Sequence, residues 1–482
     1  MTIIANSKRR SKPSPARRLA AFALAAAMLA GAGLPSRADA LHATLHATLE
    51  RAFAPALARA DDWSLVVLDA DGKTLFADRA DRALTPASTL KLVVASAALA
   101  RLGPDYRFRT ILAARDPLAS DGTLQGDLWL AGSGDPSLVR EDLRGAAGLL
   151  YANGLRRIAG GVVVDANAVA PPELNPFWNP ADANEGFQSP TSGISLDQDT
   201  VEFHVIGGAP GSLARISFVP QSSAVSYAGA VVTGGADEAP DISIDATGVP
   251  NVFRVSGRVP AGDEEKIWVP VHGIAHYAGS VFERMLLDRG IAVGAPVRTG
   301  VTPLDTRLLW SHASAPLRRL VAFMLVHSDN HFAEQLMRRL GAIDGRATDA
   351  DGLAAERAFL RERGIPTPGL HIVDGSGLAH ADRAAAITFA RILVDARRRG
   401  GGQSLLPLLP LGGEQGTLKD YRFTTALGRV RAKSGHLDGV DSLAGYVATR
   451  HRGRVAFAFV IDGVSRRADD AIVQAVDALA AM

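Results

Sequence analysis

One pattern stands at both ends of this chain and constrains how it can close on itself. Near the start, Trp63 to Asp78 reads as a hairpin: two apolar runs flank Asp71-Gly72, a two-residue turn signal. A helix is expected next, with Thr85 as N-cap, Pro86 in its first turn and its end at Gly103-Pro104. Near the finish, Leu443–Thr449 and Val455–Ile461 flank His451-Arg452-Gly453 as a second hairpin, and a helix is expected over Ala468–Ala481. Strands so far apart can share one sheet only if everything between them is looped out. The texture in between fits that reading. From about 113 to 305, short β-type runs alternate with Gly, Pro, Asn and Asp clusters, with helical stretches near 139–153 and 274–289 and a long irregular loop from Pro171 to Gln188. After Pro316 helical periodicity returns, over Leu320–Met324, Phe332–Leu340, Leu353–Arg363 and Ala385–Arg398. The expectation is an α+β protein. Residues 41–112 and 306–482 form one domain, an antiparallel sheet flanked by helices, and residues 113–305 form an α+β insertion.

Residues 1–40 are set apart as a secretory signal peptide. Lys8, Arg9, Arg10, Lys12, Arg17 and Arg18 form a basic head, Leu19 to Gly33 an apolar run, and Ala38-Asp39-Ala40 a small-x-small cleavage site. The rival is an uncleaved anchor, but the run is short beside the roughly 20 residues a span needs. Arg17-Arg18 is a poor match to a twin-arginine signal. Export to the periplasm is expected, with no stable membrane span after cleavage. The whole chain has 52 basic and 50 acidic residues; residues 1–40 take seven and one of these, leaving 45 and 49, a net charge of −4. The excess of positive charge thus belongs to the leader and gives no case for nucleic-acid binding. With no cysteine, the chain has no disulfide, no thiol nucleophile and no thiolate metal site.

Three short signatures carry chemistry: Ser88-Thr89-Leu90-Lys91, Ser328-Asp329-Asn330 and Lys433-Ser434-Gly435. Each alone is weak, but the three in order form a known catalytic set. Ser88 and Lys91 lie three apart on a helix and share a face. Serine is a weak nucleophile until a base takes its proton, and Lys91, set among Leu90, Leu92, Val93 and Val94, is placed to lose charge by burial. Backbone N–H groups near Ser88 are candidates for stabilising an oxyanion. Ser328 is a candidate proton relay, and Asn330 a candidate to hold Lys91 and a substrate carbonyl. Lys433-Ser434-Gly435 is expected to end a strand. Lys433 and Ser434 would hold a substrate carboxylate, Gly435 would let substrate lie close to the edge, and the His436 N–H would be the second oxyanion donor. The bland alternatives are a helix-start serine, an N-cap cluster and a basic strand end.

With these residues in place, the chain resembles the class C low-molecular-mass penicillin-binding proteins, the D-alanyl-D-alanine carboxypeptidase/endopeptidase family. The likeness extends to Pro86–Lys91, Gly132-Ser133-Gly134-Asp135-Pro136-Ser137-Leu138, Asp374-Gly375-Ser376-Gly377-Leu378, Gly416-Thr417-Leu418, Gly439-Val440 and Leu443-Ala444-Gly445-Tyr446. Between Lys91 and Ser328 lie 236 residues, room for the family's large insertion and too many for a compact β-lactamase. The resemblance implies a penicillin-binding transpeptidase-like fold and an acyl-enzyme on Ser88. It also implies action on peptidoglycan peptides and cross-links, acylation by β-lactams, and no cofactor. Two residues depart from the family pattern. Ser434 stands where Thr is usual, and His436 where a small hydroxyl residue is usual, which leads us to expect an effect on the pH profile.

Other constellations are weighed and set aside. His327 and His331 have the spacing of a helical metal pair, but the glutamate a zinc peptidase needs is missing, so structural roles and no metal are expected. Asp374-Gly375-Ser376 reads as a tight turn packing near the site, with Ser376 as a hydrogen bonder, rather than as a catalytic group. Trp178 is expected to be buried rather than to stack on glycan or peptide. A β-lactamase or esterase on the same scaffold is the alternative enzyme, and a cell-wall binder with a dead site the non-enzyme reading.

Overall fold

A computed structural model describes residues 37–342, 347–464 and 468–482. Of the expected leader only residues 37–40 are therefore described, as the start of helix α1 (Arg37–Leu57); the rest lies outside the described residues. The chain from Arg51 onward forms one compact unit.

The opening hairpin pairs β1 (Asp62–Leu68) with β2 (Thr74–Asp78). Its turn is wider than the two residues expected. The Asp69 carboxylate accepts from the N–H groups of Asp71, at 2.9 Å, and Lys73, at 2.8 Å, so the bend spans Asp69 to Lys73, with Gly72 at a φ of +76°. The helix after it also starts later than expected. Thr85 caps nothing; its hydroxyl accepts from Arg383 at 2.9 Å. A 3₁₀ turn over Ala87–Leu90 comes first, with Ala87 at a left-handed φ of +48°, and α2 runs Lys91–Arg101.

The middle of the chain leaves and returns at one neck. Phe108 N–H donates to the Ser314 hydroxyl at 3.0 Å, and Ser314 N–H to the Phe108 carbonyl at 3.1 Å. The strand leaving, β3 (Arg109–Ala114), then pairs antiparallel with the returning strand Arg307–Ala313. Helices α3 (Arg140–Ala152) and α4 (Ile274–Asp288) fall on the two amphipathic stretches foreseen. Strands such as Thr200–Ile206, Val252–Val259 and Glu264–Pro270 build small sheets. This region has its own apolar core, around Leu130, Phe203, Tyr277 and Phe282.

After the neck come α5 (Leu317–His327), α6 (Asn330–Gly341), α7 (Asp349–Glu362) and α8 (Ala386–Arg399). Then follow β4 (Val430–Leu437), β5 (Val440–Ala448), β6 (Arg454–Asp462) and α9 (Asp469–Ala481). The two terminal hairpins do share one sheet: its order is β2-β1-β6-β5-β4, antiparallel throughout. Both faces are covered, so β6 reads as a continuous apolar run, Val455 to Ile461, buried along its whole length. On one face Tyr446 donates its hydroxyl to the Leu393 carbonyl of α8 at 2.6 Å; on the other Phe53 meets Phe459 edge to face. A second core, containing Val66, Leu92, Met324, Leu336 and Phe389, lies between this sheet and the helices. Among the described residues, no helix is long and apolar enough to cross a membrane.

Candidate active site

The site forms where α2, α6 and the edge strand β4 meet. Ser88 is half-buried in a run of otherwise buried residues, on the turn that Ala87 bends. That bend is held from two sides. The Ser442 hydroxyl of β5 donates to the Pro86 carbonyl at 2.7 Å, and the Thr89 hydroxyl to the same oxygen at 2.6 Å. Gly435 explains itself differently from expectation. A Cβ there would strike the Ser442 hydroxyl and come 2.8 Å from the Ser88 backbone nitrogen. It is the turn carrying Ser88, not only a ligand, that needs Gly435 bare. Nor does the third signature end its strand: β4 continues through it to Leu437.

Lys91 is fully buried and donates three hydrogen bonds: to Ser88 Oγ at 2.9 Å, to Asn330 Oδ1 at 2.7 Å and to the Ser376 carbonyl at 2.7 Å. Three is all an ammonium has. If the amine is neutral, its lone pair can turn to the serine proton. Burial lowers its pKa from 10.5 to about 8, opposed by the charges of Asp374, Asp329, Glu334 and Asp382. Lys433 is buried as well, and burial, with the charge of Lys91, pushes it well below its usual value. Two buried amines close together resist being charged at once.

The second signature divides its labour. Asp329 is the N-cap of α6, accepting from Phe332 N–H at 2.9 Å. Asn330 reaches Lys91 with one end of its amide and the Phe187 carbonyl with the other, at 2.9 Å. Ser328 closes α5 with φ +58°, half-buried; among the described residues its hydroxyl has no hydrogen-bond partner. Ser434 donates to Thr417 Oγ1 at 2.7 Å. The His436 ring is held from both nitrogens, by Asp441 Oδ1 at 2.6 Å and the Tyr421 hydroxyl at 3.0 Å.

The turn expected near the site, with Ser376 as a hydrogen bonder, lies behind Lys91, but Ser376 meets Lys91 through its backbone carbonyl. The turn Asp374–Ala379 presents the Ser376 carbonyl, and Asp374 builds that turn. Its carboxylate accepts from Gly377 N–H at 2.6 Å, Ala379 N–H at 2.8 Å, Ser376 Oγ at 3.2 Å and Trp178 Nε1 at 3.0 Å. At Gly377, φ +76°, a side chain would collide with the Ala87 carbonyl. Trp178 is buried there as expected, and is a donor besides. Around the turn, burial raises Glu334 to about 8 and Asp382 to about 10. The signal for the turn was in Asp374-Gly375-Ser376-Gly377-Leu378; that a backbone carbonyl would do the work was not.

As to metals, His327 and His331 do not converge. His331 is buried, bonded to Ser195 Oγ at 2.8 Å and the Pro190 carbonyl at 2.9 Å, and burial lowers its pKa to about 4, while His327 packs at a tilt against Phe323. His436, Asp441 and Asp469 bring one ligand atom each within 4.8 Å of one another, but both nitrogens of His436 are already engaged.

Residues 43–482 match the model of the D-Ala-D-Ala carboxypeptidase 3 (S13) family. Among curated proteins, a D-alanyl-D-alanine carboxypeptidase of an Actinomadura species is 33% identical over 440 residues, covering 88% of this chain and 81% of its own. The D-alanyl-D-alanine carboxypeptidase DacB of Haemophilus influenzae is 27% identical, covering 83% of each. The crystal structure of penicillin binding protein 4 from the same organism superposes with a TM-score of 0.79 at 24% identity, over 89% of this chain and 97% of that one. A second structure of that protein holds a β-lactam.

Proposed function

We propose, for a chain that belongs to the D-Ala-D-Ala carboxypeptidase 3 (S13) family and is a class C low-molecular-mass penicillin-binding protein, that Ser88 is the nucleophile of a serine DD-peptidase. The fold is the α+β penicillin-binding transpeptidase-like one, and the activity of the family is that of a hydrolase, a D-Ala-D-Ala carboxypeptidase. The observation that carries the finer reading is the 2.9 Å contact between Ser88 Oγ and a buried lysine that burial inclines to be neutral.

In the first step the neutral Lys91 takes the Ser88 proton while Ser88 Oγ bonds to the carbonyl carbon of the penultimate D-alanine. The N–H groups of Ser88 and His436 receive the oxyanion. The carbon–nitrogen bond then breaks. The proton held by Lys91 passes, through the Ser328 hydroxyl, to the departing amine, and an ester remains on Ser88. Lys433 and Ser434 hold the terminal carboxylate, and Asn330 orients both Lys91 and the peptide carbonyl. Water then attacks the ester; its proton goes to Lys91 and passes from there to Ser88 Oγ as the ester bond breaks, which frees the peptide's new carboxylate and restores the enzyme. No metal or organic cofactor enters this scheme.

The same reading includes endopeptidase cleavage of peptidoglycan cross-links, acylation by β-lactams and work in the periplasm after loss of residues 1–40. We place the insertion between Phe108 and Ser314, slightly wider than the sequence suggested, because its strands and its separate core begin and end at that neck. Purified muropeptides, monomeric and cross-linked, test the activity: release of D-alanine or of monomers supports it, and unchanged products refute it. A β-lactamase on this scaffold would instead turn over penicillin rapidly and leave muropeptides intact.

A further inference from the structure

Beside the cleft lies a second cavity of about 700 Å³. Its walls include Val139, Gln198, Trp268, Arg319, Phe323 and Phe332. Trp268 is 50% exposed, and Phe323, whose ring packs against His327 and Phe332, is 38% exposed, so aromatic surface is wetted inside a concavity. The backbone at its edge is unusual. Asp197, Gln198 and Asp199 are left-handed in succession, with φ of 51°, 56° and 56°, and none is glycine. Such residues each carry a conformational cost of order 1 kcal/mol or more and persist only where the surroundings hold them.

The surroundings do hold them. Leu196 N–H binds Asp199 Oδ1 at 2.9 Å, Arg140 Nε binds Asp197 Oδ2 at 2.7 Å, and Val271 N–H binds the Asp199 carbonyl at 3.0 Å. Between two anchored aspartates, Gln198 sits half-buried at the cavity wall. Among the described residues its amide has no hydrogen-bond partner, and the Arg319 guanidinium has no ion pair.

We propose that this cavity is a subsite for the amino-sugar strand of peptidoglycan, with Trp268 as the stacking face, Phe323 as apolar wall, and Gln198 and Arg319 as hydrogen bonders to hydroxyl and acetamido groups. This rests on the peptidase reading above, which supplies the polymer. The composition fits a pyranose: its C–H face is apolar and its rim is neutral and polar, matching an aromatic plate bordered by an amide and a guanidinium. Position fits too. Gly186 lines this cavity, while Phe187, next in the chain, lines the cleft that His436 and Leu378 border and accepts from Asn330. One stretch of backbone thus separates the two. A stem of four residues reaches about 13 Å when extended, so the sugar bearing a peptide held at Ser88 stays close by.

The test uses the full mature protein, with Trp268→Ala and with Gln198→Gly, the latter because glycine adopts that φ without cost. Substrates are a disaccharide-bearing stem peptide and the same peptide freed of its sugars. Both variants should lose about tenfold in kcat/KM on the sugar-bearing peptide, the size of one aromatic contact, and nothing on the bare one. Penicillin acylation should be unchanged. Equal loss on both peptides, or no loss on either, overturns the proposal. If the wild-type protein does not acylate, the peptidase reading fails on its own. The sugar site is then decided by calorimetry with the peptide-free disaccharide, which the wild type should bind and Trp268→Ala should not.

Discussion

Lys91 Nζ lies 2.7 Å from the carbonyl oxygen of Ser376, a residue 285 positions further along the chain. That bond joins the helix that follows Ser88 to a turn whose shape is set by one buried carboxylate, Asp374. Through it, a network of acids surrounds the amine proposed as the base: Asp374, Asp329, Glu334 and Asp382 act on Lys91 to keep its proton while burial acts to remove it, and the charge of Lys91 in turn lowers Lys433.

The sign of the pH dependence follows. Only neutral Lys91 can accept the Ser88 proton, and its pKa is about 8. Acylation by penicillin should therefore fall about tenfold per pH unit below 8 and level off above it. Asp374→Asn removes a negative charge that favours charged Lys91, so the midpoint should move to lower pH. The same change leaves an amide where a carboxylate accepts four bonds, and should cost about 1–3 kcal/mol in urea unfolding. Stopped-flow acylation across pH 5–10 checks both; a midpoint that rises in the variant contradicts the assignment.

Gly435→Ala tests why the third signature needs glycine. Its Cβ would crowd the Ser88 backbone nitrogen at 2.8 Å and Ala87 Cβ at 3.0 Å, so β4 must shift away from the Ser88 turn. The expected result is a loss of roughly 1–3 kcal/mol in stability, with an acylation rate lower by about a hundredfold from misplacement near 1 Å. Retention of full acylation would mean that the turn gives way freely.

His436 reaches the site as a braced ring, not a loose one. His436→Ser removes the bonds to both Asp441 and Tyr421, whereas Tyr421→Phe removes one. Thermal unfolding should show the serine variant less stable by about 1–3 kcal/mol, with the phenylalanine variant between it and wild type. A change in the pH profile of acylation in the serine variant alone would tie the ring to the chemistry; identical profiles would leave it a brace only.

Much of this was legible in the chain. Apolar periodicity placed both hairpins and most helices, and the short signatures pointed to Ser88, Lys91, Asn330 and Lys433 because each needs a particular side chain. What stayed hidden depends on backbone and on distance. The left-handed Ala87 delays the helix to Lys91, and nothing in an alanine announces that. Thr85 looked like a cap because threonines often are, but Arg383 claims its hydroxyl. Ser376 serves through its carbonyl, which every residue has. Gly435 reads in the sequence as room for a ligand, whereas a Cβ there would meet the Ser442 hydroxyl first and the Ser88 backbone nitrogen next. The strain at Asp197 to Asp199 is likewise invisible until the fold sets it.

The most direct measurement is intact-protein mass spectrometry of the purified protein after incubation with benzylpenicillin, followed by peptide mapping. The convergence of Ser88, Lys91 and Asn330 predicts one added penicillin, located on the peptide containing Ser88 and absent from Ser88→Ala. An unmodified protein, or a label on any other residue, would contradict it.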